Sequence, residues 1–392
     1  MKKGFLISTF MVLVIGCSVI SHNLESSEPI KIAAVFDLKK RLSVLDIPAS
    51  RGAIIASEEI NSSGGLFNRD IQLIVRDTGS SVNKIRQKIE QLIYMDKVQA
   101  FVGYSDTNYV LAANPPIQAA RLPFISIGAT SPRISGGLDG GETLALAAFG
   151  DNAQAAVAAE YAFSQFGSKA IIVFENNKDY PILFSRYFKK RFEELGGQIL
   201  GSYYFVGNPP AFAPIARQIK KLKVAPDFVL LASMPVNANM LIRQIRLAGL
   251  HGPIIGGDSM DIAEIHKVNP LEVGQIYYTS HAFLSRENGS DKIKSFIQKY
   301  KDRFGTEPEN SFAALGYDAL MLLVEAARRA ESLEADKLMA AIENIRNFES
   351  LTGAMTYARG RRTPFKPVSI IRIGSSGPEL VDERMPEKMP IP

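Results

Sequence analysis

The sequence predicts an α/β fold that contains two parallel sheets, each flanked by helices. Short apolar runs alternate along the chain with segments of helical periodicity, which is the pattern of repeated βαβ units. The pattern starts again after about residue 150, and 392 residues suit two domains better than one. Glycine pairs at Gly64-Gly65 and Gly196-Gly197 follow two of the helical segments, where a left-handed residue commonly ends a helix.

The elements before residue 150 begin with the apolar strand Ile30–Phe36. A helix follows, with Pro48 near its start and with Ala53, Ala56 and Ile60 on one face. The other elements predicted in this half are a strand at Ile71–Val75, a helix with Ile85, Ile89 and Leu92 on one face, and short buried strands at Ala100–Gly103 and Phe124–Ile127.

The same alternation predicts the elements after residue 150. Helices are predicted at Ala153–Phe166, Leu183–Leu195, Pro214–Leu222, Asn237–Ala248, Lys292–Phe304 and Phe312–Ala330. Strands are predicted at Ala170–Phe174, Ile199–Phe205, Phe228–Leu231, Ile254–Gly256, Ile276–Thr279, Leu351–Tyr357 and Pro367–Ile373.

Composition and charge exclude several classes of protein. Hydrophobic residues make up 46% and charged residues 22% of the chain, as in an ordinary globular protein. The formal charge of +5 is small and spread along the chain, and no helix-turn-helix or stacking motif accompanies it, so we expect no nucleic-acid partner. The four histidines lack metal-ligand spacing and Cys17 is the only cysteine, so we expect no metal, no cofactor and no intramolecular disulfide.

The first 17 residues have the features of an export signal. Two lysines precede an apolar run, residues 4–16, that is too short to span a bilayer permanently. The run ends in Val-Ile-Gly-Cys17, which resembles the lipobox at which bacterial lipoproteins are cleaved and acylated on cysteine. An ordinary secretory signal with an incidental cysteine is the alternative. We expect residues 1–17 to be a lipoprotein signal peptide, residues 18–28 to be a polar tether, and no later segment to span a membrane.

Several segments resemble one known family. The run Arg51–Leu66 looks like the helix and glycine turn of type I periplasmic binding proteins of the leucine/isoleucine/valine receptor group. Further matches, in the order and spacing of that family, are Asp77, Phe101–Gly103, Leu122–Pro132, Tyr180, Asp227–Val229 and Ala314–Ala319. The resemblance covers residues 29–375, which is nearly all of the chain after the leader and tether.

The resemblance implies two Rossmann-like lobes joined by three crossings of the chain, which we place near Gly150, Thr279 and Gly353. Each lobe is then discontinuous in sequence. Lobe I is expected to contain residues 29–149 and 280–353, lobe II residues 150–279 and 354–380, and the C-terminal tail residues 381–392. A ligand is expected between the lobes at the C-terminal ends of the strands, as in open α/β sheets generally.

In amino-acid receptors of this group, hydroxyl and backbone groups of the first lobe hold the α-carboxylate and α-ammonium of the ligand. The matching positions here are Thr107, Gly128 and Thr130. Thr107 is expected to open a helix, whose free N–H groups suit a carboxylate. Thr130 adds a hydroxyl and an N–H, and the Gly128 carbonyl is placed to accept from an ammonium. The alternative is that both threonines only cap helices.

The resemblance assigns to the second lobe an aromatic residue after its first strand and an acid after its fourth. Here these are Tyr180, which would cover the ligand, and Asp258, which would pair with an ammonium. The two glycines before Asp258 allow the backbone to come close to a ligand. The plainer interpretation of Asp258 is an exposed Gly-Asp turn.

Three positions depart from the family pattern. Met234 stands where an aromatic residue is often found, Pro181 stands where glycine is usual, and the loop 36–43 lacks the usual Ser-Gly. Met234 and Leu45 are expected to form a soft apolar wall of the ligand pocket. The cations of the loop either attract an acidic ligand or are simply solvated; they are Lys39, Lys40 and Arg41.

The function that the resemblance implies is binding and not catalysis. The sequence contains no GxSxG, HExxH or P-loop motif and no GxGxxG after the first strand, and the acids Asp258 and Glu175 have no nucleophile beside them. We expect a lipid-anchored receptor, in the periplasm or at the cell surface, that delivers a small amino acid or related carboxylate to the permease of an ABC importer. The alternatives are a lipoprotein of the same fold that senses a ligand or contacts proteins without transport, and a secreted hydrolase.

Overall fold

The computed structural model describes residues 28–135, 141–207 and 211–392. The predicted signal peptide with Cys17, and the tether up to residue 27, lie outside the described residues. Two large separate sheets form the framework of the described part. Every helix in that part is too short or too polar to span a bilayer.

The first sheet is entirely parallel, with strand order β2-β1-β3-β4-β5. Its strands are β1 (Ile30–Phe36), β2 (Ile71–Asp77), β3 (Ala100–Gly103), β4 (Phe124–Ser126) and β5 (Leu144–Leu146). The interior strand β1 has the sequence IKIAAVF and is buried almost throughout, as expected for a strand covered on both faces. The helices of this half are α1 (Ser43–Ser62), α2 (Val82–Tyr94), α3 (Thr107–Ala119), α10 (Asp291–Phe304), α11 (Phe312–Ala330) and α12 (Ala335–Glu343).

The second sheet has strand order β14-β13-β10-β9-β8-β6-β7. Its five parallel strands are β6 (Lys169–Glu175), β7 (Gln198–Phe205), β8 (Phe228–Ala232), β9 (Ile254–Gly256) and β10 (Ile276–Ser280). Two antiparallel strands extend it at one edge, β13 (Val368–Gly374) and β14 (Gly377–Arg384). The helices of this half are α4 (Asp151–Gln165), α5 (Asp179–Glu194), α6 (Ala213–Ile219), α7 (Pro235–Leu247), α8 (Ala263–His266) and α9 (Pro270–Val273).

The chain passes between the half built on the first sheet, here lobe I, and the half built on the second sheet, lobe II, three times. The passages lie between β5 and α4, between β10 and α10, and before β13. The third passage comes later than the expected position near Gly353, because the hairpin of β11 (Thr356–Ala358) and β12 (Arg361–Phe365) packs against β5. The second sheet also continues to Arg384, so residues 381–384 form part of a strand and not of a tail.

The predicted α/β fold class is confirmed, although some elements differ from expectation. The strand expected at Leu351–Tyr357 is a turn followed by β11. The reason is that the backbone N–H groups of Leu351 and Thr352 donate to the Asp318 carboxylate and not to a neighbouring strand. The sequence patterns also missed β5, β12, β14 and the helices α8, α9 and α12. Strand β5 has only 3 residues and β14 is largely polar, so neither shows clear apolar periodicity.

A buried lysine lies at the third passage between the lobes. Lys366 is 1% exposed, and its ammonium donates to the Thr352 hydroxyl, which in turn donates to the Asp318 carboxylate at 2.7 Å. Burial lowers the pKa of Lys366 from 10.5 to about 7, while the charges of Asp318 and Glu383 oppose that shift. Folding therefore places an ionisable amine where its charged form is costly.

Relative to the wild type, Lys366→Met is expected to be most stable at and below neutral pH. The unfolded chain keeps the lysine proton up to about pH 10.4, whereas the folded protein releases it near pH 7, so wild-type stability rises with pH between these values. The advantage of the variant should therefore shrink as the pH rises through this window. Urea denaturation of both proteins at neutral pH and at about pH 9.5 measures the difference. A difference that did not change with pH would contradict the assignment.

Candidate ligand-binding site

Loops at the carboxyl ends of strands from both sheets meet in a cleft between the lobes. In this arrangement the cleft is narrow, with about 20 Å³ of free space, which is room for about one water molecule. The structure brings together in its lining all seven residues singled out from the sequence, which are Leu45, Thr107, Gly128, Thr130, Tyr180, Met234 and Asp258. The described lining residues that sequence reasoning missed are Ser105, Asp106, Pro235, Ser259 and Phe312.

Four of the five missed residues are sequence neighbours of predicted ones. Ser105 and Asp106 follow β3, and Pro235 and Ser259 adjoin Met234 and Asp258, so the rule that ligands bind at strand ends could have found them. Phe312 is different, because it opens α11 and is far from the other lining residues in sequence.

The start of α3 presents two hydroxyl groups to the cleft. Asp106 caps this helix by accepting from the Tyr109 N–H at 3.1 Å, so Thr107 is not the cap that the alternative interpretation assumed. Thr107 and Ser105 line the cleft, and among the described residues neither buried hydroxyl oxygen has a hydrogen-bond partner. Unsatisfied hydroxyls beside a helix N-terminus are suited to a carboxylate.

The loop after β4 carries Gly128 and Thr130. A Cβ at Gly128 would lie 2.6 Å from the Phe312 ring, so the close approach of α11 requires glycine here. The Thr130 carbonyl accepts from the Asp151 N–H at 2.6 Å, where α4 begins. Burial raises the pKa of the Asp151 carboxyl well above its usual range, although a hydrogen bond from Thr130 opposes the shift. The loop thus connects the cleft to the first passage between the lobes.

Tyr180 lies at the start of α5 and forms part of the lobe II wall. Its ring stacks on Phe184, with centroids 5.9 Å apart, and its hydroxyl oxygen accepts from the Ser259 N–H at 3.5 Å. A Cβ at Gly257 would lie 2.1 Å from that oxygen, so glycine is needed for the two loops to meet. Burial and the charge of Asp258 raise the tyrosine pKa well above its usual range, so the hydroxyl remains a donor.

Asp258 begins a short 3₁₀ turn, Asp258–Met260, after β9. Asp258 is only 3% exposed, so this segment is not the exposed Gly-Asp turn that the plainer interpretation assumed. Oδ2 lies 3.0 Å from His281 Nε2, whereas Oδ1 is buried and has no partner among the described residues. The Asp258 N–H donates to Gln154 Oε1 at 3.4 Å. The carboxylate therefore has one oxygen available to a ligand.

Glu175, the other acid considered from the sequence, has a structural role. Its Oε2 accepts from the Met234 N–H at 3.1 Å and from Asn237 Nδ2 at 3.2 Å. These bonds hold the loop after β8, which presents Met234 to the cleft. Glu175 does not line the cleft, so it does not form an acid pair there with Asp258.

The cationic loop after β1 stays outside the cleft lining. Lys39 forms a surface ion pair with Asp77 at 3.6 Å. Arg41 lines an adjoining pocket together with Lys178. These positions favour the interpretation of residues 39–41 as a largely solvated loop.

The cleft lining is acidic. It contains Asp106 and Asp258, and none of the described residues that line it is lysine, arginine or histidine. Burial raises the pKa of Asp106 to about 6, while the charge of Lys178 opposes that rise, so this carboxyl is largely ionised at neutral pH. Such a lining favours a ligand that carries a positive group.

The two lobes touch across the cleft. Asn108 on α3 donates from Nδ2 to Asp179 Oδ2 on α5 at 2.8 Å. Helices α3 and α5 are also in contact near this bond. The structure therefore has a closed arrangement, in which a ligand would be in contact with both lobes.

Known proteins of similar sequence and structure are binding proteins. Leu/Ile/Val-binding protein homolog 1 of Brucella abortus (strain 2308) is 26% identical over 78% of this chain and 80% of its own length. The leucine binding protein LivK from Thermotoga maritima MSB8 has a similar fold, with a TM-score of 0.81 and 24% identity over 90% of this chain and 98% of that one. A solute binding protein of an ABC transporter from Rhodopseudomonas palustris BisB5 was solved in complex with 3,4-dihydroxy benzoic acid. It has a TM-score of 0.79 and 20% identity, over 92% of this chain and 99% of that one.

A family-wide comparison covers almost all of the described chain. The sequence pattern of the family described as periplasmic binding protein matches residues 29–378, which include the first sheet from β1 to β5, the second sheet except most of β14, and every described residue of the cleft lining. The match confirms the resemblance drawn from the sequence, and the family implies a location outside the cytoplasm. This chain therefore belongs to the periplasmic binding protein family.

Proposed function

We propose that this protein is an extracytoplasmic receptor that captures a small α-amino acid in the cleft and delivers it to the permease of an ABC importer. The observation that supports this proposal is that residues from both lobes line the cleft and carry buried polar atoms without hydrogen-bond partners among the described residues. The buried hydroxyls of Ser105 and Thr107 lie on lobe I, and the free Asp258 oxygen lies on lobe II. An α-amino acid brings a carboxylate for the first site and an ammonium for the second, so one ligand would satisfy both.

The apolar part of the lining supports a short aliphatic side chain. Leu45, Met234, Pro235 and Phe312 contribute apolar surface to the cleft. The cleft is narrow, so a ligand held between the lobes must have few heavy atoms. The names of the Brucella and Thermotoga relatives, which refer to leucine, isoleucine and valine, agree with a ligand of this size and polarity.

An aromatic carboxylate, as in the Rhodopseudomonas complex, is the second ligand class considered. A ligand of that class carries an anion but no amine. It would place its charge in a lining that holds Asp106 and Asp258 and, among the described residues, no cationic side chain. The acidic lining therefore favours an amino acid.

Calorimetry with L-leucine, L-isoleucine, L-valine and 3,4-dihydroxybenzoate tests the proposal directly. We expect at least one of the three amino acids to bind and the benzoate not to bind. Binding of the benzoate without binding of any amino acid would overturn the proposed ligand class. The alternative role, sensing without transport, is separated by uptake of radiolabelled leucine in a strain that lacks the gene. If the purified protein binds leucine but loss of the gene leaves leucine uptake unchanged, the result favours sensing.

Ligand addition is expected to make the protein more compact in solution. Two lobes joined by three passages can hinge, and a ligand that touches both lobes favours the closed form that the Asn108–Asp179 contact represents. Small-angle scattering should show a smaller radius of gyration with saturating L-leucine than without it. Identical scattering profiles at saturation would contradict hinge closure.

We further propose that Cys17 is acylated and anchors the protein to a membrane. The lipobox-like sequence before Cys17 supports this, although that segment lies outside the described residues. Cys17→Ser should abolish incorporation of labelled palmitate and move the protein out of the membrane fraction, because acyl chains provide the attachment. Membrane retention with unchanged labelling would refute the anchor. The neighbouring Ser18→Ala serves as a control and should remain attached.

A further inference from the structure

A buried histidine lies directly behind Asp258. His281 follows β10, at the second passage between the lobes, and is 1% exposed. Its ring stacks on Phe149, with centroids 4.0 Å apart and an interplanar angle of 26°, and meets the Phe312 ring edge-on at 5.4 Å. Phe149 immediately precedes the first passage, and Phe312 lines the cleft. The imidazole is therefore held in one orientation by two aromatic rings.

The bond from His281 makes the two Asp258 oxygens unequal. His281 Nε2 lies 3.0 Å from Oδ2, and both side chains are almost fully buried. Oδ1 has no partner among the described residues. The histidine thus fixes the rotation of the carboxylate and leaves the other oxygen for the cleft, where Asp258 is part of the lining.

The charge state of His281 affects what Asp258 can offer. Burial lowers the pKa of His281, and the charge of Lys366 adds to this effect, while Asp258 and Asp261 oppose it. The ring is consequently neutral at pH 7 and donates from Nε2 to Asp258. A neutral donor orients the carboxylate without cancelling its negative charge, whereas an imidazolium would already neutralise the group that a ligand ammonium needs.

The arrangement leaves one polar atom of the histidine unsatisfied. With the proton on Nε2, Nδ1 is an acceptor, and it is buried without a partner among the described residues. An apolar residue between Phe149 and Phe312 would avoid this cost. The placement is thus poor for packing alone but suited to positioning Asp258.

We propose that His281 is a positioning residue of the ligand site, which by donating to Asp258 Oδ2 directs Oδ1 of the same carboxylate at the ammonium group of the ligand. This inference rests on the proposed function, since it assumes an amine-bearing ligand. It adds a residue to the site that does not line the cleft and acts only through Asp258.

The test measures L-leucine affinity by calorimetry in a set of variants. His281→Phe keeps an aromatic ring in the stack but removes the donor, and should weaken leucine binding about 10- to 100-fold, the range for loss of a hydrogen bond to a charged group. His281→Gln places an amide N–H near the position of Nε2 and should remain within about threefold of wild type. His251→Gln, at an exposed histidine, serves as a control and should not change the affinity.

His281→Phe in an Asp258→Asn background separates a positioning role of the histidine from a packing role. If His281 acts through Asp258, His281→Phe should add little to the loss already caused by Asp258→Asn. Thermal unfolding checks that each variant folds. His281→Asn, whose shorter amide does not reach the position of Nε2, replaces the phenylalanine variant if the latter does not fold.

Three outcomes would overturn the inference. These are unchanged leucine binding in His281→Phe, equal losses in the glutamine and phenylalanine variants, and losses that add fully in the Asp258→Asn background. Each of them leaves the proposed function standing, because wild-type protein still binds leucine in all three. Wild-type protein that bound none of the three branched-chain amino acids would instead remove the proposed function, and this inference with it.

Discussion

Asp258→Asn is expected to weaken amino-acid binding by about 2–4 kcal/mol, the order expected when one buried charge loses its partner. The substitution keeps the shape of the side chain but removes its negative charge. A ligand ammonium would then lie in a closed cleft beside an amide, with Asp106 as the remaining acid in the lining. Calorimetry on the purified variant measures the loss.

Thr107→Val is the matched comparison for this first prediction. It removes one of the two unsatisfied hydroxyls at the start of α3 and should cost about 1–2 kcal/mol, because the Ser105 hydroxyl and backbone donors remain. A ligand with a carboxylate but no amine should respond differently. It should tolerate Asp258→Asn, or gain from it, and still lose affinity in Thr107→Val. If both variants bound the ligand like wild type, the placement of the site would have to be abandoned.

Asp318→Ala is expected to destabilise the fold by about 3–5 kcal/mol, the range for removing one partner from a buried charged network. The Asp318 carboxylate is fully buried in α11 and accepts from the Leu351 N–H, the Thr352 N–H and the Thr352 hydroxyl at 2.7–3.0 Å. Its loss would leave these donors unsatisfied and would remove the negative charge that favours the protonated form of Lys366.

Urea denaturation at neutral pH measures the effect of Asp318→Ala. Asp336→Ala is a suitable control, because this acid of α12 is 61% exposed and forms only a surface ion pair with Arg121. The control should change stability by less than about 0.5 kcal/mol. Equal stability of the two variants would show that the turn at Leu351–Gly353 does not depend on Asp318.

The elements that the sequence predicted well are those whose residues carry a strong local pattern. Helix α11 and the strands β1, β3 and β9 have the predicted bounds, because continuous apolar runs or a long apolar face define them. The turn at Leu351 was predicted as a strand because its sequence is apolar. What determines its shape is a carboxylate more than thirty residues earlier, which no local pattern reveals.

The candidate site likewise contains residues that could be predicted from the sequence and residues that could not. Five of the seven predicted residues came from the resemblance, and Leu45 and Met234 were expected as an apolar wall; the structure brings all seven to one cleft. Phe312 and His281 were not among them. Phe312 begins α11 and His281 follows β10, so their proximity to the cleft depends on how distant segments are placed in space.

The sequence by itself determined the alternation of strands and helices and the two large sheets, since these depend on local periodicity and on glycine and proline positions. The loops at the cleft were predicted from the family resemblance. Only the tertiary structure decided which buried groups lack partners. The free oxygen of Asp258, the unsatisfied hydroxyls of Ser105 and Thr107, and the neutral donor His281 are properties of distant segments in contact. Hydrogen-bond satisfaction and desolvation depend on every neighbour in space. The protonation of His281 and the orientation of the Asp258 carboxylate could therefore be derived only from the three-dimensional structure.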